Sequence, residues 1–210
     1  PAGLGIREVF CTPNISLQEI INTGKHQNLD LLLSNIQDLL TEQTVNKIAA
    51  DYYHVAQWIE QNAAGIYDFI IMDAPASTSS LSINAMLAAD LIIVPLECET
   101  LAIKSLKRFL QAFKDLQRTI EPRLRLAGIL LTMYDDEILS HRQVCKQICQ
   151  TLGDSVFETI IPNCPYILEA SNLGIDVIQR HLNSAGATGY IRLANELLDR
   201  FLLSRAGELS

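Results

Sequence analysis

No apolar run in this sequence approaches the roughly 20 residues that span a membrane, and the opening residues show no secretory-leader pattern. A Pro/Gly/Ser-rich linker, an internal repeat and a low-complexity tract are absent too. The 210 residues therefore read as one domain, residues 1–210. Positive charge is scarce: 16 Lys and Arg stand against 24 Asp and Glu, a net charge of −8. Such a surface repels nucleic-acid phosphates, so non-specific DNA binding needs a local basic patch. Cysteine supplies no framework. The five thiols, at 11, 98, 145, 149 and 164, are odd in number, and none has partners at metal-site spacing. Reduced thiols in a cytoplasmic protein are the expectation, with no membrane association. What the chain has in plenty is apolar residues, 49% of it, enough for a sizeable core. It starts on Pro1 and not on Met, which fits either removal of an initiator or a piece of a longer chain.

The organising stretch is residues 67–99, YDFIIMDAPASTSSLSINAMLAADLIIVPLECE. Residues 69–72 are a short apolar run without polar alternation, the pattern of a strand buried on both faces in a parallel sheet. The run ends on Asp73. A carboxylate at the C-terminal tip of such a strand sits where α/β sheets bind ligands, and there it can hold Mg²⁺ on a nucleotide phosphate. The same acid can also be a loop residue capping the next helix. Pro75 and a Ser/Thr cluster follow, then a helix over about 81–89 and a second apolar strand over 91–96.

Elsewhere the pattern alternates. A short helix over 16–21 is capped by Ser16. Thr23-Gly24-Lys25 has too few glycines and no preceding strand for a phosphate loop, so Gly24 reads as a helix end. Residues 29–33 read as a strand. A long helix over about 41–62 carries an apolar stripe of Val45, Ile48, Ala49, Tyr52, Val55 (or Ala56) and Ile59, with Trp58 as a packing residue and His54 a surface or packed residue, not a ligand. Residues 100–120 form an amphipathic helix holding Lys104, Lys107, Arg108, Lys114 and Arg118, the most basic part of the chain. Strands over 126–132 and 156–161 flank a helix over 137–152, and a helix over 185–203 closes the chain. Strands alternating with helices predict an α/β fold: three layers, a mostly parallel sheet with helices on both faces.

The motifs resemble the ParA/Soj family of partition ATPases, relatives of MinD. The matching residues are Tyr67-Asp68, Ile70-Ile71, Asp73, Pro75, Ser77, Asn84-Ala85, Ala88-Ala89-Asp90, Pro95 and Glu99. They continue through Gly128–Asp135 (GILLTMYD), residues 156–162 (VFETIIP) and Glu169-Ala170-Ser171. The resemblance covers about residues 29–205. It implies a P-loop NTPase-like fold, ATP and Mg²⁺ as cofactors, a homodimer gated by ATP, and a ParB-like or other partner protein that stimulates hydrolysis. The implied role is segregation or positioning of a chromosome, a plasmid or another large cargo. It also implies roles for particular residues. Asp73 is the Walker B acid, holding Mg²⁺ through water. Ala74, Pro75 and Ser77 belong to the loop that senses the γ-phosphate. Thr132, Met133, Pro162 and Asn163 lie where the family holds adenine and ribose.

The sequence departs from the family pattern at Glu97, where many relatives have Gln, and in two larger respects. The 210 residues contain no KGGxGKT loop, the family's phosphate cradle and source of catalytic Lys. Without it phosphoryl transfer loses most of its positioning and charge stabilisation, so this chain by itself is expected to hydrolyse ATP poorly or not at all. A non-catalytic ParA-like interaction module is the alternative. Glu137 and Tyr166 stand where active relatives carry arginines, and Asn163 replaces the Arg of IPR. Non-specific DNA binding through that surface is expected to be weak or absent.

Overall fold

The computed structural model describes residues 3–208 apart from 24, 25, 27, 76–78 and 123, with side chains described as far as residue 200. The chain divides into two compact units, Pro1–Asp90 and Leu91–Ser210. The first unit carries α1 (Ile6–Cys11), α2 (Leu17–Ile20), β1 (Asn22–Thr23), β2 (Asp30–Leu31), α3 (Leu39–Ile48), α4 (His54–Asn62) and α5 (Ser80–Ala88). The second carries β3 (Leu91–Glu97), α6 (Ala102–Thr119), β4 (Arg125–Thr132), α7 (Leu139–Leu152), a 3₁₀ turn Gly153–Ser155, α8 (Pro165–Asn172), α9 (Val177–Arg180) and α10 (Ala185–Glu208).

The second unit has the predicted layering. β3 and β4 pair in parallel, from Leu91 opposite Arg125 to Glu97 opposite Thr132. The period-2 alternation of β4 then sends its side chains to opposite faces. Ile129 and Leu131, both fully buried, join Leu96, Leu106 of α6, and Val144 and Ile148 of α7. Leu130 joins Phe157 and Ile161, packed by Ile167 of α8 and by Leu193 and Leu197 of α10. Helices thus cover both faces of a parallel ladder, which is why β4 reads as a nearly continuous apolar run. The register shifts between Ile92 and Ile93, so Ala127 is the extra residue of a bulge. Beside it Gly128 lacks a Cβ that would press on the Phe157 ring and the Arg200 guanidinium. Arg200 fills that space. It donates to the carbonyls of Ala127 (3.0 Å) and Val156 (2.8 Å), pairs with Glu196 (2.8 Å), and lies 4.3 Å above the Phe157 ring.

The expected strand over 156–161 exists only as two parallel bridges, Ile129–Val156 and Tyr134–Pro162. Phe157 and Ile161 donate their amides to the carbonyls of Ile129 and Leu131, both at 2.9 Å. Between them Glu158 and Thr159 leave the ladder and donate instead to the Glu196 carboxylate, at 2.8 and 2.9 Å. A side chain on α10 thus replaces the middle of a strand.

The first unit is helical at its core. Phe10, Val45, Ala49 and Val55 pack together with Met72, Leu81 and Ala88 against them. Val9, Ile15 and Ile20 form a second cluster with Leu32 and Trp58. The long helix expected over 41–62 is two helices, because Asn84 of α5 holds the chain open between them. Its amide donates to the carbonyls of Ala49 (2.7 Å) and Asp51 (3.1 Å), and its Oδ1 accepts from the Val55 N–H (3.1 Å). His54 is a packing residue, its Nε2–H donating to the Val9 carbonyl at 2.8 Å. The strand expected over 29–33 narrows to Asp30–Leu31, paired antiparallel with Asn22–Thr23. The helix expected over 16–21 ends at Ile20, and Gly24 and Lys25 lie outside the described residues. The strand expected over 69–72 does not form. Phe69, Ile70 and Ile71 are exposed, Ile71 at 91%. An apolar run becomes a strand only when a neighbour completes its hydrogen bonds, and among the described residues none flanks this one.

Candidate functional site

The predicted site residues fall into two groups, one in each unit. In the first unit, Asp73, Ala74 and Pro75 follow the extended segment 67–72 and are all exposed. The segment is tied down by the Tyr67 hydroxyl, which donates to the Asp30 carboxylate at 3.0 Å. Its far end is held by Ser82, whose hydroxyl donates to the Pro75 carbonyl at 3.1 Å. Ser82 is buried in the first turn of α5, and Ser79 caps that helix by accepting from the Ser82 N–H. Asp73 is therefore presented to solvent between two anchored points, on the loop that leads into a helix. Ser77 lies outside the described residues.

In the second unit, Thr132, Met133, Pro162 and Asn163 converge at the C-terminal end of β4. The Thr132 carbonyl accepts from Cys98 at 3.2 Å. Tyr134 donates its N–H to the Ile161 carbonyl (3.2 Å) and accepts from the Asn163 N–H (2.8 Å), which draws the 132–134 and 161–163 segments side by side. Met133, between them, adopts φ +54°. That left-handed conformation is uncommon for a residue with a side chain and turns the chain sharply out of the sheet. Half-exposed Met133, partly covered Thr132 and Pro162 and exposed Asn163 form a rim at the strand end. This is the position where open α/β sheets place ligands.

The loop beyond the rim carries hydrogen bonds of its own. The Asp135 N–H donates to His141 Nδ1 (3.2 Å), the Asp135 carboxylate accepts from the Glu137 N–H (2.9 Å), and Arg142 donates to the Asp136 carbonyl (2.8 Å). Glu137 and Tyr166, at the family's arginine positions, are both exposed. The Tyr166 ring lies 4.4 Å from that of His181. The His181 ring approaches Glu169 at 3.4 Å, and Arg180 approaches the same carboxylate at 3.2 Å. The hydrogen bond from Arg180, with the His181 ring beside it, holds the Glu169 carboxyl below its usual range. Sequence reasoning noted the Glu169 motif and placed His141 on its helix, but missed Arg180 and His181, which act between helices and leave no local periodicity.

Among the described residues, no group of three or more His, Cys, Asp or Glu is placed to hold a metal ion. No helix among them is long and apolar enough to cross a membrane. All five cysteines are free thiols. Burial pushes Cys98 up to about 11.

Against this geometry, the AAA domain family matches residues 4–126. The chain belongs to the ParA/MinD-type P-loop ATPase family. Its similarity to the chromosome partitioning protein ParA of Caulobacter vibrioides is 36% identity over 66% of this chain and 52% of that protein. Its similarity to the chromosome-partitioning ATPase Soj of Thermus thermophilus is 39% identity over 64% of this chain and 54% of that protein. The chain spans about half the length of the curated relatives it matches. Among solved structures, cobyrinic acid a,c-diamide synthase from Mycobacterium smegmatis, with bound ADP and magnesium, superposes with a TM-score of 0.76 at 26% identity. That superposition covers 95% of this chain and 73% of the synthase. The fold is therefore that of P-loop NTPases, and the three-layer reading of the sequence holds.

Proposed function

We propose that residues 1–210 act as one ParA-like positioning domain that binds ATP with Mg²⁺ and serves chromosome or plasmid segregation in the cytoplasm. The observation that carries this reading is the anchored, solvent-facing Asp73, retained in its family sequence context. A carboxylate is the hard oxygen donor that Mg²⁺ prefers, and a single protein carboxylate with water completing the shell is an ordinary Mg²⁺ arrangement. Bound Mg²⁺ would supply charge neutralisation between the phosphates. Ala74, Pro75 and Ser77 are assigned to the γ-phosphate side. Thr132, Met133, Pro162 and Asn163 are assigned to the base and ribose. Nucleotide binding gates a homodimer, and a ParB-like partner stimulates its turnover.

Hydrolysis is a separate matter. The 210 residues hold no KGGxGKT loop, so the chain by itself is expected to be silent. A chimaera carrying that strand, loop and helix from a relative ahead of Pro1 is expected to hydrolyse Mg·ATP. Asp73→Asn in the chimaera should lower turnover by about 100-fold or more, since metal-held charge stabilisation is lost. An Asp73→Asn chimaera with full activity would remove Asp73 from the site. A folded chimaera that neither binds nor hydrolyses ATP would leave the non-catalytic interaction module as the function.

A further inference from the structure

The second unit is not packed solid where α6 and α7 meet the start of β4. Leu110 and Phe113 of α6, Leu126 and Ile129 of β4 and Leu152 of α7 surround a cavity of about 220 Å³. Ile129 is fully buried and Phe113 is nearly so. Leu110, Leu126 and Leu152 are partly buried against the same core cluster. The body of the cavity is therefore apolar, and the Gln117 amide in its wall is turned onto the Leu124 carbonyl at 2.6 Å. The mouth differs. Lys114 and Ser155 stand there, both exposed. Lys114 is the one charged residue of the lining. Among the described residues it pairs with no carboxylate. Water suits the interior poorly, because an ordered water needs about two to four polar partners. An apolar cavity of ~150 Å³ stays dry and accepts benzene.

We infer that this cavity is a binding site for a small monocarboxylate with an apolar body of about eight carbons. The body lies among Phe113, Leu126 and Ile129, and the carboxylate meets Lys114 and Ser155 at the mouth. The lining selects this class. One ammonium and one hydroxyl supply the charge and the donors that a single carboxylate takes up. A phosphate monoester carries about two charges and three acceptor oxygens, more than this mouth answers. A cation is repelled by Lys114, and a neutral molecule leaves the ammonium without a partner. The cavity lies toward the start of β4, whereas the Thr132, Met133, Pro162 and Asn163 rim lies at its end. It is a second site, and it does not rest on the nucleotide reading.

The test is a methyl NMR titration of the full chain with octanoate, without nucleotide. Saturable shifts are expected at the methyls of Leu110, Leu126, Ile129 and Leu152, with a Kd of about 0.3 mM. Hexanoate, two methylenes shorter, should bind about 15-fold more weakly. Octylammonium should not bind there. Lys114→Gln should weaken octanoate about 10-fold, and Lys114→Arg should bind it like the parent. Leu110→Trp fills the cavity and should abolish binding with the melting temperature retained. If that variant fails to fold, Lys114→Gln, changed only at an exposed side chain, decides the matter. Absence of saturable shifts up to about 5 mM octanoate, well above the expected Kd, would overturn the inference. So would shifts centred on the Thr132–Asn163 rim, or undiminished binding in Lys114→Gln. Tighter binding of octan-1-ol than of octanoate would overturn it and leave an unselective void. Tighter binding of a peptide ending in leucine would overturn it and leave an anchor pocket for a protein partner.

Discussion

Residues 69–72 and strand β4 look alike as sequence: both are short, apolar and rich in Ile or Leu. Their fates differ. β4 has β3 along one side and accepts amides from Phe157 and Ile161 on the other, and its two faces are covered by α6 and α7 and by α8 and α10. Residues 69–72 make no ladder, and of the run only Met72 packs into a core cluster. An apolar run states that a segment can be buried. Whether it becomes a strand depends on a neighbour with free N–H and C=O groups at the right distance.

The comparison breaks most visibly under alanine. Leu131 is fully buried, and Leu131→Ala is expected to cost about 3–5 kcal/mol by urea denaturation. Ile71→Ala, at a site 91% exposed, should stay within about 0.5 kcal/mol. Equal costs would mean that 69–72 is packed in solution as β4 is. Next in size is Asn84→Ala. It removes the side chain that bonds the Ala49 and Asp51 carbonyls and the Val55 N–H, and it leaves a buried acceptor at Ala49 and a buried donor at Val55. About 3 kcal/mol is expected, with the largest rise in hydrogen exchange at Val55. If exchange there is unchanged, Asn84 does not hold the α3–α4 break.

These two sites also mark what sequence could and could not tell. β4, α6 and α7 were legible because their cores are built from periodic apolar residues whose partners are close in the chain. The Asp73 loop and the Thr132–Asn163 rim were legible through motif order. The α3–α4 break was not, since Tyr52 and Val55 continue the helical stripe and the interruption comes from Asn84, far along the sequence. Likewise nothing local in 156–161 reveals that Glu196 on α10 would accept the amides of Glu158 and Thr159.

Glu8 sharpens the comparison within the first unit. It is 3% exposed, and its carboxylate accepts from the Gly5 N–H, the Asn35 amide and Arg7, each at 2.7 Å. Burial pushes its carboxyl up, but these three donors outweigh burial and hold it below its ordinary value of 4.5. A depressed folded value means stability that is present above pH 4.5 and lost as pH falls through the folded value. The parent should therefore lose stability more steeply than Glu8→Gln as pH falls below 4.5. Parallel curves would show that Glu8 is not charged in the fold.

The smallest effect is expected two residues beyond Leu131, at Met133. Its φ of +54° puts a side chain in a conformation that costs about 1–2 kcal/mol. Met133→Gly relieves that cost but adds freedom to the unfolded chain, worth about 0.4–1 kcal/mol. A net gain of about 0.5 kcal/mol follows from these opposing terms. Leu131→Ala and Met133→Gly should thus move stability in opposite directions within one strand end. Strain of this kind persists where the surroundings enforce it, and it clusters at ligand sites. If Met133 belongs to the base and ribose rim, the more stable glycine variant should bind nucleotide more weakly in the chimaera. Gain of stability with unchanged affinity would make Met133 a turn residue and confine the rim to Thr132, Pro162 and Asn163.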